Sequence, residues 1–248
     1  MLAVLLVYAG LIAGFLGLVS ILKPLMFVGL ANRGQSAWLL GGAVLVALVG
    51  WHLPASETRV ATGRSHLDEF VPAYQFNEFH AIRVNASKDR VYAVIKNLRP
   101  NEILLFQTLA WMRRFGKRGP ESVLNAPDNV PILEVATRTR FLLLAEEPER
   151  EIVIGTVVLR PPGAQPLKTP ADFRNSVRPG FAVAAMNFHV EDAGENTTLV
   201  TTETRVYAAD DVTRRRFAGY WRTIYPGSAF IRRMWLRAVK HRAESVGS

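Results

Sequence analysis

Two long stretches without charge open the chain and constrain everything that follows. Between Met1 and Ser56 the only charged side chains are Lys23 and Arg33, and the first acidic residue is Glu57. Met1–Leu22 carries no charge, and Ala37–Leu53 carries none apart from His52 when protonated. A bilayer core of roughly 30 Å needs about 20 apolar residues in a helix. The first stretch has that length, and the second reaches it if Pro54 and Ala55 lie in the interface. Trp38 and Trp51 stand near its two ends, where amphipathic rings favour the headgroup layer. The sequence therefore predicts a two-helix transmembrane hairpin over residues 1–56, with spans at 1–22 and 37–54. A secretory signal fits poorly, because a signal starts on Lys or Arg and has an apolar core of only about 7–15 residues. A buried hairpin of a soluble domain lacks any polar stripe to face solvent. A re-entrant second segment stays open, since that segment is short and holds Gly41, Gly42 and Gly50.

From Glu57 onward the chain has the size of one ordinary domain and can bury a core. It holds all 21 acidic residues and 28 of the 30 basic ones, a formal charge of +7. That sign suits a surface lying against anionic headgroups, where each Lys or Arg contributes about 1 kcal/mol. Nucleic acid is the other polyanion it would suit. No cysteine is present, which excludes disulfides, thiolate nucleophiles and cysteine metal sites.

Residues 57–75 are polar and mixed, a linker into the domain of residues 76–244. FNEFHAIRVNAS (Phe76–Ser87) alternates apolar and polar and ends on turn formers, which predicts a strand. Ser87 then caps KDRVYAVIKN, where Val91, Val94 and Ile95 fall at helical spacing. After Pro100, the residues Ile103, Phe106, Leu109 and Met112 form one stripe of a second short helix. RFLLLAEE and REIVIGTVVL flank Pro148 as a hairpin, and GFAVAAMNFHVED and TTLVTTETRVYAA flank AGEN as another. Residues 161–180 hold five prolines and predict a long loop with one helical turn at ADFRNS. The last segment, Asp210–Glu244, has a stripe at steps of four and three through Phe217, Trp221, Ile224, Ser228, Ile231, Trp235 and Ala238. Pro226-Gly227 should kink or split it, with Ser228 capping the second half. An α+β fold in which an antiparallel sheet wraps this helix is the economical architecture, with residues 245–248 as a tail.

Several phrases carry a resemblance: HAIRVNASKDRVYAVI, FLLLAEEPEREIVIG, RPGFAVAAMNF, TTETRV and YWRTIYPGSAFIRRMWLRAVKHRAE. They resemble membrane-anchored bacterial members of the START-like (SRPBCC) superfamily, to which Bet v 1 allergens, polyketide cyclases and lipid-transfer domains belong. The resemblance covers Phe76–Glu244. It implies the helix-grip fold, in which a curved antiparallel sheet and the long C-terminal helix enclose a mostly apolar cavity. The phrases are scaffold signatures and name no chemistry, since the scaffold hosts lipid carriers, cyclases, hydrolases and chaperone co-factors.

Strand parity sets out a candidate ligand wall. Ala182, Ala184, Met186, Phe188 and Val190 share one face of their strand, and the small residues among them leave room for a ligand. Thr202, Thr204 and Val206 share a face of the partner strand, and Glu78 and His80 share one with Phe76, Ile82 and Val84. If that last face points inward, Glu78 and His80 are polar groups in an apolar cavity, able to orient a ligand or to act as acid and base. A satisfied structural pair is the competing account, and the opposite parity, with Phe79 and Ala81 inward, stays open. Phe106, Leu109, Trp221 and Trp235 complete the candidate ligand-binding set, although such ring pairs are more often core.

No catalytic residue, metal or cofactor is assigned. His189 and Glu191 stand two apart but lack a third ligand. Ser228, in PGSAF, lacks the glycines that flank a nucleophile elbow. The arginines Arg214, Arg215, Arg232, Arg233 and Arg237 read as the solvated face of a helix, with anionic lipid as the next account. No motif that reads nucleic acid is present. The expectation is a membrane-tethered, non-catalytic binding or carrier domain for a lipid or other apolar small molecule. A cyclase- or hydrolase-type enzyme using the same cavity, and a structural or regulatory membrane protein with a closed cavity, are the alternatives.

Lys23 and Arg33 lie in the loop between the spans, no Lys or Arg precedes the first span, and Arg59 and Arg64 follow the second. Short basic loops stay cytoplasmic, and the first helix usually sets orientation. Its only flanking charges are those of the loop, so the globular domain is expected outside the cytoplasm. Alkaline phosphatase fused to Ser248 should be active there and a fluorescent protein dark; the reverse pattern places the domain in the cytoplasm.

Overall fold

The computed structural model describes residues 1–61, 63–113, 116–117 and 119–245. The chain folds as two compact units, Met1–Ala55 with Ala218–Tyr225, and Ser56–Phe217 with the residues from Pro226 onward.

In the first unit, α1 (Leu2–Leu22) and α2 (Arg33–His52) are each long and apolar enough to cross a bilayer. Residue Asn32 starts α2 ahead of the predicted span: its side chain accepts the Gln35 N–H at 2.9 Å, while Gln35 Oε1 accepts the Ala31 N–H. The two helices pack backbone to backbone. A Cβ on Gly10 would stand 2.7 Å from the Ala43 carbonyl, and one on Gly50 would stand 2.8 Å from Leu6 Cβ, so only glycine permits the approach at these two positions. Ser36 Oγ donates to Ser20 Oγ at 2.9 Å, a buried polar link between the helices. The same unit includes a stretch of the C-terminal helix: Tyr8 Oη donates to the Thr223 carbonyl at 2.9 Å, and the Arg222 guanidinium donates to the Leu53 carbonyl.

The second unit begins where a linker was expected. Residues 57–75 instead hold β1 (Thr58–Arg59), α3 (His66–Phe70) and β2 (Ala73–Tyr74), with β1 and β2 paired and Leu67, Phe70 and Val71 buried. Next come β3 (Phe76–Val84), α4 (Lys88–Asn97), α5 (Phe106–Arg113), α6 (Ile132–Thr139), β4 (Leu142–Glu147) and β5 (Glu151–Leu159). Last are α7 (Pro170–Asn175), β6 (Ala182–Asp192), β7 (Thr198–Ala208) and α8 (Asp211–Ser245). The five longer strands form one antiparallel sheet in the order β3-β7-β6-β5-β4. The fold is thus α+β, a five-stranded antiparallel sheet with a long C-terminal helix, preceded by two apolar helices.

Burial follows strand parity. Phe76, Glu78 and Val84 of β3 are buried, whereas Phe79 is 56% exposed, so the even face of β3 points inward. On that face Ile152, Ile154, Met186, Phe188 and Val200 pack with Ile231, Met234, Trp235 and Val239 of α8 and with Val91 and Ile95 of α4. The opposite face carries a second core, in which Val153, Val183 and Ala185 meet Leu67 and Phe70 of the α3 segment and Phe173 of α7. Strand β6 is therefore buried on both sides from Ala182 to Val190.

Three expectations need correction. Helix α5 starts only at Phe106, and Met112 is 49% exposed; Ile103, Phe106 and Ala110 are the buried residues there. Helix α6 was not predicted, yet it buries Ile132, Leu133, Val135 and Ala136. Helix α8 runs through Pro226 without a break, which puts Ser228 inside the helix and not at a cap. Proline removes one N–H and so one bond to the Arg222 carbonyl, but the apolar stripe from Ile231 to Ala243 holds the C-terminal part in the core.

Asp210 stands just ahead of α8 and accepts the Gly180 N–H at 2.7 Å, the Thr213 N–H at 2.9 Å and the Thr213 hydroxyl at 2.7 Å. The Gly180 N–H, then those of Thr213, lower its pKa from 3.8 to about 2. A depressed carboxylate stabilises the fold above its unfolded pKa and loses that contribution as the pH falls through the folded value. The Asp210 contribution is therefore lost between about pH 4 and pH 2. In thermal unfolding at pH 5 and pH 2.5, Asp210→Asn should lose less stability than the parent over that interval.

Candidate functional site

The α8 face of the sheet brings together most of the residues that the sequence singled out. Strand register sets Glu78 opposite Thr204 and His80 opposite Thr202. Ala184 lies opposite Val206, and Met186 opposite Thr204. Phe188 packs on Trp235 with ring centroids 5.1 Å apart, in the same core as Phe106, with Leu109 against it. Trp221 departs from this group: it belongs to the first unit, where its ring lies 5.6 Å from that of Tyr225.

Toward the β3 edge of this face lies a small buried polar cluster. His80 Nε2 meets Glu78 Oε1 at 3.0 Å, with the Glu78 side chain 1% exposed and that of His80 9% exposed. Glu78 Oε2 is buried and finds no hydrogen-bond partner among the described residues. The Thr202 hydroxyl donates to the Asn187 carbonyl at 2.7 Å, and Thr204 Oγ1 accepts from Arg232 Nη2 at 3.1 Å. Arg232 thus joins the cluster from α8 and does not sit on the solvated face to which the sequence assigned it. Its position one turn from both Ser228 and Trp235, on the flank of the apolar stripe, is the signal that could have found it.

A hollow of about 270 Å³ opens where α4 and α6 meet the β4–β5 edge. Leu133, Leu143, Ile152 and Ile154 line it, and Lys96, Glu134 and Glu146 stand among its polar groups. Ile154 and Ile152 lie opposite Met186 and Phe188 in register, so this surface continues into the expected ligand wall. Lys96 Nζ donates to Glu146 Oε1 at 2.6 Å and the Tyr92 hydroxyl donates to the same oxygen at 2.8 Å. The Lys96 bond, ahead of the Tyr92 bond, holds the Glu146 carboxyl below its ordinary pKa although partial burial opposes it.

The other face of the sheet carries polar residues that sequence reasoning missed. Arg205 donates through Nε and Nη2 to both oxygens of Glu203 at 2.8 Å, and through Nη1 to Asp68 at 2.6 Å and to the Val71 carbonyl at 3.3 Å. Glu151, 1% exposed, accepts from Asn187 Nδ2 at 2.6 Å and from the His66 N–H at 2.7 Å. Burial pushes the Asp68 pKa up, but the Arg64 N–H and the Arg205 guanidinium together hold it below its ordinary value.

Replacing one member of the Glu78–His80 pair strands the other. His80→Leu should lower stability by about 1–3 kcal/mol, the cost of a buried polar group left unpaired. Adding Glu78→Leu should recover most of that loss, because two apolar groups of similar size need no partner. Denaturant unfolding of the two variants checks this, and equal losses in both would remove the coupling.

No known protein family and no curated protein matches the chain. Solved structures give distant likenesses. A hypothetical protein from Helicobacter pylori aligns with a TM-score of 0.36 at 8% identity, covering 75% of this chain and 98% of that one. A protein from Thermus thermophilus aligns at 0.30 and 10% identity, covering 70% of this chain and 100% of the other. Norcoclaurine synthase from Thalictrum flavum, in complex with dopamine and hydroxybenzaldehyde, aligns at 0.26 and 12% identity, over 75% of this chain and 98% of its own. At such scores these likenesses say nothing of what this chain binds or does.

Proposed function

We propose that the protein is a membrane-tethered, non-catalytic binding or carrier domain of the START-like superfamily, for a lipid or other apolar small molecule. The observation that carries this reading is the hollow between α6 and the β4–β5 edge, with aliphatic residues below and the Lys96–Glu146 pair beside them. Binding sites for small molecules combine such an apolar surface with a few placed polar groups. An apolar tail seated on Ile152 and Ile154 extends towards Met186 and Phe188, and a polar head stays near Lys96. Ala184, Thr202, Thr204, Glu78 and His80 lie further along the same face and do not line the hollow. The tether is supported by the exposure of the two apolar helices: only 22% of one span's apolar window and 17% of the other's is buried within the chain. A core helix of a soluble domain hides most of its apolar surface, and a bilayer is the medium that suits one left uncovered. Lys23 and Arg33 in the loop between the spans support a domain outside the cytoplasm.

An enzyme of the cyclase or hydrolase type is the second reading, favoured by the unpartnered Glu78 Oε2 beside His80. Binding is preferred because that pair is buried, with side chains 1% and 9% exposed, and does not line the hollow.

Native mass spectrometry of the full chain in mild detergent should show one apolar molecule retained per chain. Leu143 is 43% exposed and lines the hollow, so Leu143→Trp fills it from the outside. A fluorescent fatty acid should bind that variant at least about tenfold more weakly, a loss of about 1.4 kcal/mol, with an unchanged melting temperature. Parent-like binding by a folded Leu143→Trp variant removes this hollow as the ligand site.

A further inference from the structure

A second hollow, of about 340 Å³, lies on the sheet face opposite α8, between the α3 segment and strands β3, β7 and β6. Most of the polar groups around it are already committed. Arg205 is fully engaged by Glu203, Asp68 and the Val71 carbonyl, and Asn187 is engaged by Glu151 and the Glu203 N–H.

His189 keeps one buried atom without a partner among the described residues. His189 lines the hollow and is 9% exposed, and its Nε2 is buried with no hydrogen-bond partner among the described residues. Its Nδ1 faces Glu191 Oε1 at 3.5 Å. A carboxylate at Nδ1 favours the tautomer that carries the proton there, which leaves Nε2 as an acceptor. Thr201 lies directly opposite His189 in register and lines the same hollow, as does the exposed ring of Phe79.

Charge and hydrogen-bonding capacity select the ligand. Two carboxylates, Asp68 and Glu203, answer the single Arg205, and Glu191 adds a third; Arg64 is the other cation among the lining residues. His189 Nε2 and Glu191 both offer acceptors, so the missing partner is a donor. A cation held near an aromatic face gains about 0.5–1 kcal/mol at exposed sites. His189 and Glu191 are short of the three or four ligands that a metal ion requires. We propose that this hollow binds a small organic cation, a primary ammonium whose N–H groups are taken by His189 Nε2 and the Glu191 carboxylate and whose carbon part lies against Phe79.

Isothermal titration calorimetry on the full chain in detergent micelles, with benzylammonium, benzyl alcohol and benzoate, tests the proposal. Benzylammonium should saturate one site, benzyl alcohol should bind at least about tenfold more weakly, and benzoate should show no saturation. The His189 ring resonances should shift during the benzylammonium titration. His189→Phe should lose at least about tenfold in affinity. Glu191 and Phe79 are exposed enough to be replaced without unfolding, and Glu191→Gln and Phe79→Ser should each weaken binding several-fold. Equal binding of benzoate and benzylammonium, no saturation by benzylammonium, or parent-like affinity in folded Glu191→Gln overturns it.

Discussion

The second unit is organised around one constraint, that β6 is buried on both faces from Ala182 to Val190. A strand can be buried twice only if something covers each side and every polar group it carries finds a partner. On the α8 side its residues are Ala184, Met186, Phe188 and Val190, and cover comes from α8 and α4. On the other side Val183 and Ala185 are followed by Asn187 and His189, and cover comes from the α3 segment and α7. The change from apolar to polar along that second face explains its chemistry. Asn187 is tied to Glu151 and to the Glu203 N–H, while the neighbouring Arg205 is tied to Asp68 on α3. Breaking a buried ion pair of this kind from one side costs about 3–5 kcal/mol. Residues 57–75 are thus held on the sheet by charge as well as by Leu67 and Phe70.

What could be read from the sequence follows from this arrangement. Period-two alternation made β3 legible but left both parities open, and burial decides between them: Phe79, Ala81 and Arg83 are exposed and the even positions are covered. The two hairpins and the apolar stripe of α8 were legible for the same reason, since local spacing records which side is covered. The α3 segment was not, because its hold on the sheet runs through Asp68 and Arg205, which are 137 residues apart. No local pattern couples such positions. Helix α6 was hidden differently: the β-branched Ile132, Val135, Thr137 and Thr139 lower its helix propensity, and packing overrides that preference.

For the candidate ligand residues, shared strand faces were legible and openings were not. Parity paired Glu78 with His80, Ala184 with Met186 and Thr202 with Thr204 on their own strands, and register makes these pairs neighbours across strands. Where space remains on that face depends on how long the covering helices are and where they end, and neither α6 nor its contact with β4 was foreseen. Arg232 and Arg222 make a related point. Both sit on α8 among arginines that read as solvated, yet Arg232 reaches Thr204 and Arg222 reaches the Leu53 carbonyl. A long flexible side chain on the flank of an apolar stripe can lay its stem along the core and place its head on a partner there.

The sheet carries the same carboxylate–imidazole spacing twice, and the comparison shows how surroundings assign a role. Glu78 and His80 on β3 and His189 and Glu191 on β6 each stand two residues apart and so share a face of their strand. In the first pair the carboxylate is 1% exposed and the imidazole 9%, and the unpartnered atom belongs to the carboxylate. In the second the imidazole is 11% exposed and the carboxylate 59%, and the unpartnered atom belongs to the imidazole. Helix α8 covers the face that holds the first pair, so its polarity is chiefly a cost that packing must offset. A hollow lies in front of the second pair, so its lone acceptor can be satisfied from outside the chain. Sequence reasoning favours the first pair, and the side on which cover is incomplete favours the second.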